Sequence, residues 1–478
     1  MSEFLFYYVR PEPPTWVFLS FFAIIGIFVV FRRFWSLRNL DILLVLAFTP
    51  GFMMVYEGRK ATLAQNDPKA VETENASAAP DGGKPADAAS VPSALKGAGI
   101  GLEGWSPQPL LYYGFLWLLV CAGLLTLRML LDTAIVRRPL LEPNLNSGGM
   151  LFIGISLAIF LLFNVAMSTR NDNRKQGPDL GPGYVLLSKL PQFSTVTDDS
   201  SFGSTVPESI TATNRTSKLD TIARVLAITA NTLLIFCLVG IGYWHFGSFS
   251  TGVGAATFYL LLPYAAHTTG RVDHVVPGAL LLLALMLYRQ PFVAGLFLGC
   301  AAGVMYYPFS LLPLWCSFYW QRGIRRFASG FTISVAVLVL AMAFIYPNDL
   351  AYHLSYMFGI KKVAMNGMDG MWGLGWHPIA RIPIIVIFVL LSFSFIFWPA
   401  QKNLATLMSC SAALMAATQF WHGFGGGLYM AWFLPLAILT IFRPNLDYCV
   451  ALEVVRPVRR KTKAPLNPDS EPPLAAAG

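Results

Sequence analysis

The stretch FYLLLPYAAHTTGRVDHVVPGALLLLALMLY, residues 258–288, decides the fold. Two strongly apolar runs flank a polar turn, 268–274, in which Arg271, Asp273 and His274 stand together. Apolar runs recur along the whole chain at roughly 15–22 residues, the length that crosses a bilayer as a helix. The turn is then the place where one crossing ends and the next begins, at the edge of the hydrocarbon.

Composition agrees. Of 478 residues, 55% are hydrophobic and only 12% charged, and the mean hydropathy is +0.57. A soluble chain would have to bury most of these runs, and its loops are too small to cover them. The expected fold is all-α: a polytopic membrane protein, one transmembrane domain over residues 1–478, with about 13 spans (11–14) between 16–31 and 428–442. The segments near Gly252 and Phe309 are short and carry Gly or Pro, as half-helices or re-entrant pieces do.

Lysine and arginine set the orientation. Alternate loops hold Arg32, Arg33 and Arg38; Arg137 and Arg138; Arg289; Arg322, Arg325 and Arg326; and Lys402, and a basic tail follows over 455–478. Those loops and the C-terminus are expected to be cytoplasmic. The net charge of +9 thus reports topology and contact with anionic membrane lipids, with no nucleic acid implied. On the outer side fall a loop at 58–105, whose Ala, Pro, Asp and Gly composition predicts disorder, a polar loop at 168–221 and an aromatic loop at 347–381. The N-terminus comes out external, its first apolar run a retained helix. The cysteines lie in or beside spans and imply neither a disulfide framework nor a metal site.

Five of the six histidines, His267, His274, His353, His377 and His422, share the outer face with Arg271, Asp273, Asp349, Lys361, Lys362, Asp369 and Arg381. These are the ingredients for binding an anion and moving a proton. The bland alternatives are interfacial residues reaching for headgroups and a simple Arg271–Asp273 ion pair. The turn FWHGFGGGLYMAWFLPL, 420–436, adds glycines at 423 and 425–427 between His422 and Tyr429. Backbone there can approach a ligand, and N–H groups at the start of the next helix can cradle a phosphate; close helix packing is the competing explanation.

Residues 270–327 resemble the middle of the membrane glycosyltransferases of the GT-C fold, particularly glycosyltransferase family 87 and its polyprenyl-phosphate mannosyltransferase relatives. The matching pieces are AGLFLGCAA (294–302), Tyr307 with Pro308, LLPLW (311–315) and Arg322, Arg325 and Arg326, with YMAWFLPLAIL (429–439) similar to the family's last span. The resemblance implies a hexosyltransferase of a bacterial inner membrane that uses a lipid-linked sugar donor at the outer face and no cofactor. It further implies an acidic general base early in an outer loop. The family's Asp-aromatic signature after the first helix is absent, and Met305 stands where many relatives carry a lysine. By position the base is Glu57 or Asp172. On this reading Arg271, Lys361, Lys362 and His422 hold the donor phosphate, and Trp372 and Trp376 cover the sugar or prenyl chain. Asp273 and His274 orient the site or bind the acceptor, and His377 and Tyr429 complete the substrate-binding set.

Two other classes use the same outer charges. A transporter or flippase for a lipid or small anion calls for ionisable residues deep in several spans and two similar halves; the sequence shows few such charges and no internal repeat. A non-enzymatic scaffold, or a degenerate GT-C relative, would make the long outer loops the working parts.

Overall fold

The computed structural model describes residues 13–66, 107–135, 141, 143–167, 170–171, 192–193, 218–320, 322–357, 370–400, 402–423, 429–446 and 449–451. These residues are helical apart from connections and one two-residue antiparallel pairing of β1 (Arg170–Asn171) with β2 (Gln192–Phe193). Five stretches are long and apolar enough to cross a membrane: Leu37–Arg59, Gln108–Ala134, Ser147–Ala166, Asp220–Trp244 and Ile324–Ile345. They mark the chain as an integral membrane protein.

In chain order the helices are α1 (Pro13–Phe28), α2 (Leu37–Leu46), α3 (Phe48–Asn66), α4 (Pro107–Leu131), α5 (Ser147–Met167), α6 (Lys218–Trp244), α7 (Phe249–Leu261) and α8 (Pro263–Thr268). Then follow α9 (Val272–Met286), α10 (Pro291–Val304), α11 (Leu312–Phe318), α12 (Ile324–Ile345), α13 (Leu350–Met357), α14 (Arg381–Ser394), α15 (Leu404–Ala417) and α16 (Leu434–Phe442). Long helices lie outside and short ones inside. In α5 and α12 only 22% of the apolar span is buried. The exposed residues of α4 are Tyr113, Trp117, Val120, Leu124, Leu127 and Leu131, and those of α12 include Ile333, Val337, Leu340 and Phe344. Steps of three and four put each set on one helical stripe, an apolar stripe turned outward as lipid requires. By contrast α7, α9, α15 and α16 are buried along nearly their whole length. Enclosed by protein, they need not match the bilayer thickness.

Two expected spans change character. Residues 307–318 form a 3-10 turn, Tyr307–Leu311, followed by α11, which together rise about 20 Å against a hydrocarbon core of about 30 Å. The described part of the expected span 428–442, from Tyr429 on, reduces to a Met430–Trp432 3-10 turn and the nine-residue α16. The segment at Gly252 is broken as its Pro suggested: Leu262 is extended and Pro263 opens α8. Helix α3 continues to Asn66, into the stretch 58–105 expected to lack order, because EGRKATLAQN is built of good helix formers. The remainder of that loop, most of 168–221 and the tail lie outside the described residues.

The AGLFLGCAA piece has a packing role. Gly295, Gly299 and Gly303 recur every four residues on α10, facing α12. A Cβ on Gly295 would fall on the Phe327 carbonyl oxygen, one on Gly299 would lie 2.6 Å from the Phe331 oxygen, and one on Gly330 of α12 would fall on the Phe292 carbonyl oxygen. The Ser334 hydroxyl donates to the Leu296 carbonyl at 2.7 Å across this contact. Small residues let the two backbones touch, as membrane helix pairs do. Gly295→Ala should cost about 1–3 kcal/mol by overpacking and lower the thermal midpoint in detergent. Gly26→Ala, at a site with nothing within 4 Å, should leave it unchanged or raise it.

At the end opposite the 268–274 turn, four charges expected to be scarce inside the bundle form a chain. Arg128 Nε donates to Asp41 Oδ1 at 2.6 Å and Nη2 to Asp41 Oδ2 at 2.9 Å. Its Nη1 reaches Asp132 Oδ1 at 3.2 Å, and Asp132 Oδ2 accepts from Arg443 Nε at 3.0 Å and Nη2 at 2.6 Å. Asp41, Asp132 and Arg443 are 2%, 1% and 4% exposed. Two acids and two bases cancel, which is what makes such burial tolerable. Asp132→Asn would leave Arg443 buried beside a neutral amide. We expect a loss of about 3–5 kcal/mol, read as a collapse of the folded fraction by fluorescence-detected size-exclusion chromatography.

Candidate functional site

The corner between α8 and α9 is fixed by its own backbone. Thr268 Oγ donates to the Tyr264 carbonyl and Thr269 Oγ to that of Ala265, both at 2.9 Å, while Asn231 of α6 donates to the Thr269 carbonyl at 2.9 Å. Arg271 is extended and precedes α9, so Asp273 and His274 fall in that helix's first turn. Pro277 lacks the N–H that would bond the Asp273 carbonyl four residues back. The indole Nε1–H of Trp432 takes that place at 3.3 Å. The next residue, Gly278, has no Cβ because one would fall on the Ala431 carbonyl oxygen. The VVPG of the polar turn thus seats the 430–432 segment on α9.

Two tyrosine–histidine pairs result. Tyr264 Oη accepts from the Ala431 backbone N–H at 3.1 Å and lies 2.6 Å from His274 Nδ1. A phenolic oxygen both donates and accepts, so the direction of this bond follows the tautomer that the imidazole takes. In the second pair Tyr306 Oη donates to Tyr307 Oη at 3.0 Å, and Tyr307 Oη bonds His422 Nδ1. Tyr429 lies between the two imidazoles, stacked on His274 at 4.4 Å and edge-on to His422 at 4.8 Å. Trp432 closes against Tyr429 at 4.3 Å.

Arg271 Nη2 donates to Asp273 Oδ2 at 3.1 Å, so the ion pair exists; His274 Nε2 lies 3.8 Å from the same oxygen. Arg271 Nε and Asp273 Oδ1 are buried without a hydrogen-bond partner among the described residues. Burial works against the Arg271 charge, but Asp273 alongside more than offsets it and holds the guanidinium above the ordinary arginine value. His422 goes the other way: burial first, then the Arg381 charge, pushes it down to about 3. It therefore offers a neutral N–H, where a charged donor was expected from the sequence.

The aromatic loop packs on the same end. Trp372 is buried and donates from Nε1 to the Phe420 carbonyl at 3.1 Å. Arg381 donates to the Trp421 carbonyl from Nε at 2.9 Å and Nη2 at 2.6 Å, holding the turn that carries His422. Trp376 and His377 are exposed at the rim, with Trp376 6.5 Å from Trp372. Glu57 stands on α3 next to Tyr56, whose ring meets His267 of α8 at 5.9 Å. Asp172, Lys361 and Lys362 lie outside the described residues. The structure thus gathers Arg271, Asp273, His274, His422 and Tyr429 into one cluster, sets Trp372 beside it, and leaves Trp376 and His377 outside. Tyr264 carries no role in the sequence-based expectation, and Arg381 stands there only among the charges of the outer face; Pro277, with the gap it makes in α9, hinted at an added donor. No family model, curated protein or solved structure matches the chain.

The unfolded chain takes a proton at His422 near the ordinary value of 6.5, the folded chain only near 3. Stability is therefore full above about 6.5 and declines as pH falls toward about 3. Thermal midpoints of the purified protein across that window should fall with acidity. His422→Gln, which keeps an N–H donor and takes no charge, should flatten the decline.

Proposed function

We propose that the protein is an integral-membrane glycosyltransferase that takes a sugar from a polyprenyl-phosphate donor and passes it to an acceptor at the end of the bundle carrying Arg271, with the C-terminus on the cytoplasmic side. The observation that supports this is the cluster itself. A buried guanidinium with an unpartnered Nε lies on the same short corner as His274, and Tyr429, stacked on His274, also meets His422, a second imidazole that burial keeps neutral. Such a set suits a phosphate held where water is scarce, and fixed donors in a low-dielectric site stabilise a leaving phosphate.

In this reading the bond between the anomeric carbon and the phosphate oxygen breaks as the acceptor oxygen attacks that carbon. Electrons pass to the phosphate, held by Arg271, and the acceptor proton goes to a carboxylate, for which Glu57, midway along α3, is the candidate among the described residues. Asp273 keeps the guanidinium in place between turnovers. Trp372 and Tyr429 supply apolar faces for the sugar or the prenyl chain.

Membranes containing the protein, supplied with radiolabelled polyprenyl-phosphate sugar, should transfer label to an endogenous acceptor. Arg271→Gln combined with Asp273→Asn removes both charges together and avoids a buried unpaired carboxylate. It should lower transfer by about 10²–10³-fold, the loss typical of a deleted transition-state donor, with the elution profile unchanged. Undiminished transfer in a folded double variant sinks the assignment.

A further inference from the structure

A groove of about 740 Å³ lies at the opposite end of the bundle, between α11 and the turn after α14, and takes no part in the chemistry above. That volume is within the ~300–1,000 Å³ range of small-molecule sites. Its polar floor is made where the Ser317 hydroxyl donates to the Ile396 carbonyl at 2.9 Å. Lys402 Nζ donates to the Ile396 and Pro399 carbonyls at 3.2 and 2.9 Å, which leaves one ammonium proton to spare. Burial pushes this ammonium below the ordinary lysine value, as expected of a cation lacking a counter-charge. Arg322 also lines the groove, and its side chain makes no hydrogen bond or ion pair among the described residues. Among the described residues no acidic one lines the groove.

The walls are apolar and open to the side. Trp320 is 64% and Phe397 81% exposed, and Phe397 continues the exposed face of α14 through Phe393 and Leu390. Aromatic residues bordering two cations at the end of a lipid-facing helix are what a headgroup site needs.

We propose that this groove binds an anionic phospholipid, its phosphate between Arg322 and Lys402 and its acyl chains along the Phe397–Phe393 face of α14. The chain's own tail is the weaker occupant. It leaves from beside Val450 on the groove's edge and carries Arg456, Arg459, Arg460, Lys461 and Lys463, which two cations repel. The proposal is independent of the glycosyltransferase reading, whose residues lie at the other end.

The test is native mass spectrometry of the detergent-purified full chain titrated with phosphatidylglycerol or with phosphatidylcholine of the same acyl chains. Wild-type protein should prefer phosphatidylglycerol. Arg322→Gln should weaken that binding about fivefold, the effect of one basic residue at a lipid surface, and Arg322→Lys should restore most of it. Arg326→Gln, an equal charge change on an exposed residue that does not line the groove, should bind like wild type. Equal wild-type affinity for the two lipids overturns the proposal without reliance on any variant. So do equal losses in Arg322→Gln and Arg326→Gln, which would mean diffuse attraction, and displacement of the lipid by millimolar inorganic phosphate, which would mean a phosphate site with no lipid.

Discussion

The buried chain Asp41–Arg128–Asp132–Arg443 is the constraint on which the rest of the arrangement hangs. It joins α2, the end of α4, the 3-10 turn after it and the residue that follows α16. Exchanging buried ion pairs for apolar side chains often costs nothing, so their value here lies in fixing position. A ring of interlocked charges has one low-energy register, whereas apolar helices in lipid can slide. Helix α16 has only nine residues, about 13 Å of rise, and runs from Arg443 at one end of the bundle to the Met430–Trp432 turn at the other. Fixing Arg443 therefore fixes the height at which Tyr429 and Trp432 enter the site.

The site end receives that strut through a defect in α9. A proline inside a helix leaves a carbonyl without its donor, a liability in a membrane protein unless another group supplies one. Here the freed Asp273 carbonyl is met by Trp432, and the glycine beside the proline removes the Cβ that would hold Ala431 away. The backbone N–H of Ala431 in turn bonds Tyr264, whose hydroxyl also meets His274. One Pro-Gly step thus decides where the last helix sits and brings it against the tyrosine that a buried histidine bonds.

What could be read from the sequence follows the range of each interaction. The apolar runs and the Arg271–Asp273 pair, two residues apart, depend on local pattern, and both are found. The chain of buried charges joins residues 87 and 311 positions apart, and the Tyr307–His422 pair joins residues 115 apart. No periodicity carries that information. Counting crossings was only partly possible, because hydropathy measures apolarity and not enclosure. Residues 307–318 and 428–442 are as greasy as a span but lie inside the protein, where a helix of seven or nine residues suffices. The AGLFLGCAA piece was legible as a motif; its close contact with α12 emerges only when the facing glycine, Gly330, is in place.

The two ends of the bundle handle charge in opposite ways, and this bears on function. A transporter needs ionisable groups that exchange partners along a path. The four deep charges at the Arg443 end are each held by two or more of the bonds described above or by a bidentate partner, and losing any one leaves a buried charge exposed to its neighbour. That network is built to stay closed. At the other end Arg271 uses a single N–H on Asp273 and its Nε is unspent, with His274 and His422 packed on either side of Tyr429. A buried guanidinium N–H without a partner raises the folded state's energy unless something arrives to use it. Buried atoms without a partner among the described residues also occur elsewhere, Trp16 Nε1 and Tyr56 Oη among them, so what sets this end apart is that an unspent guanidinium N–H shares one corner with two imidazoles, as a bound anion would require.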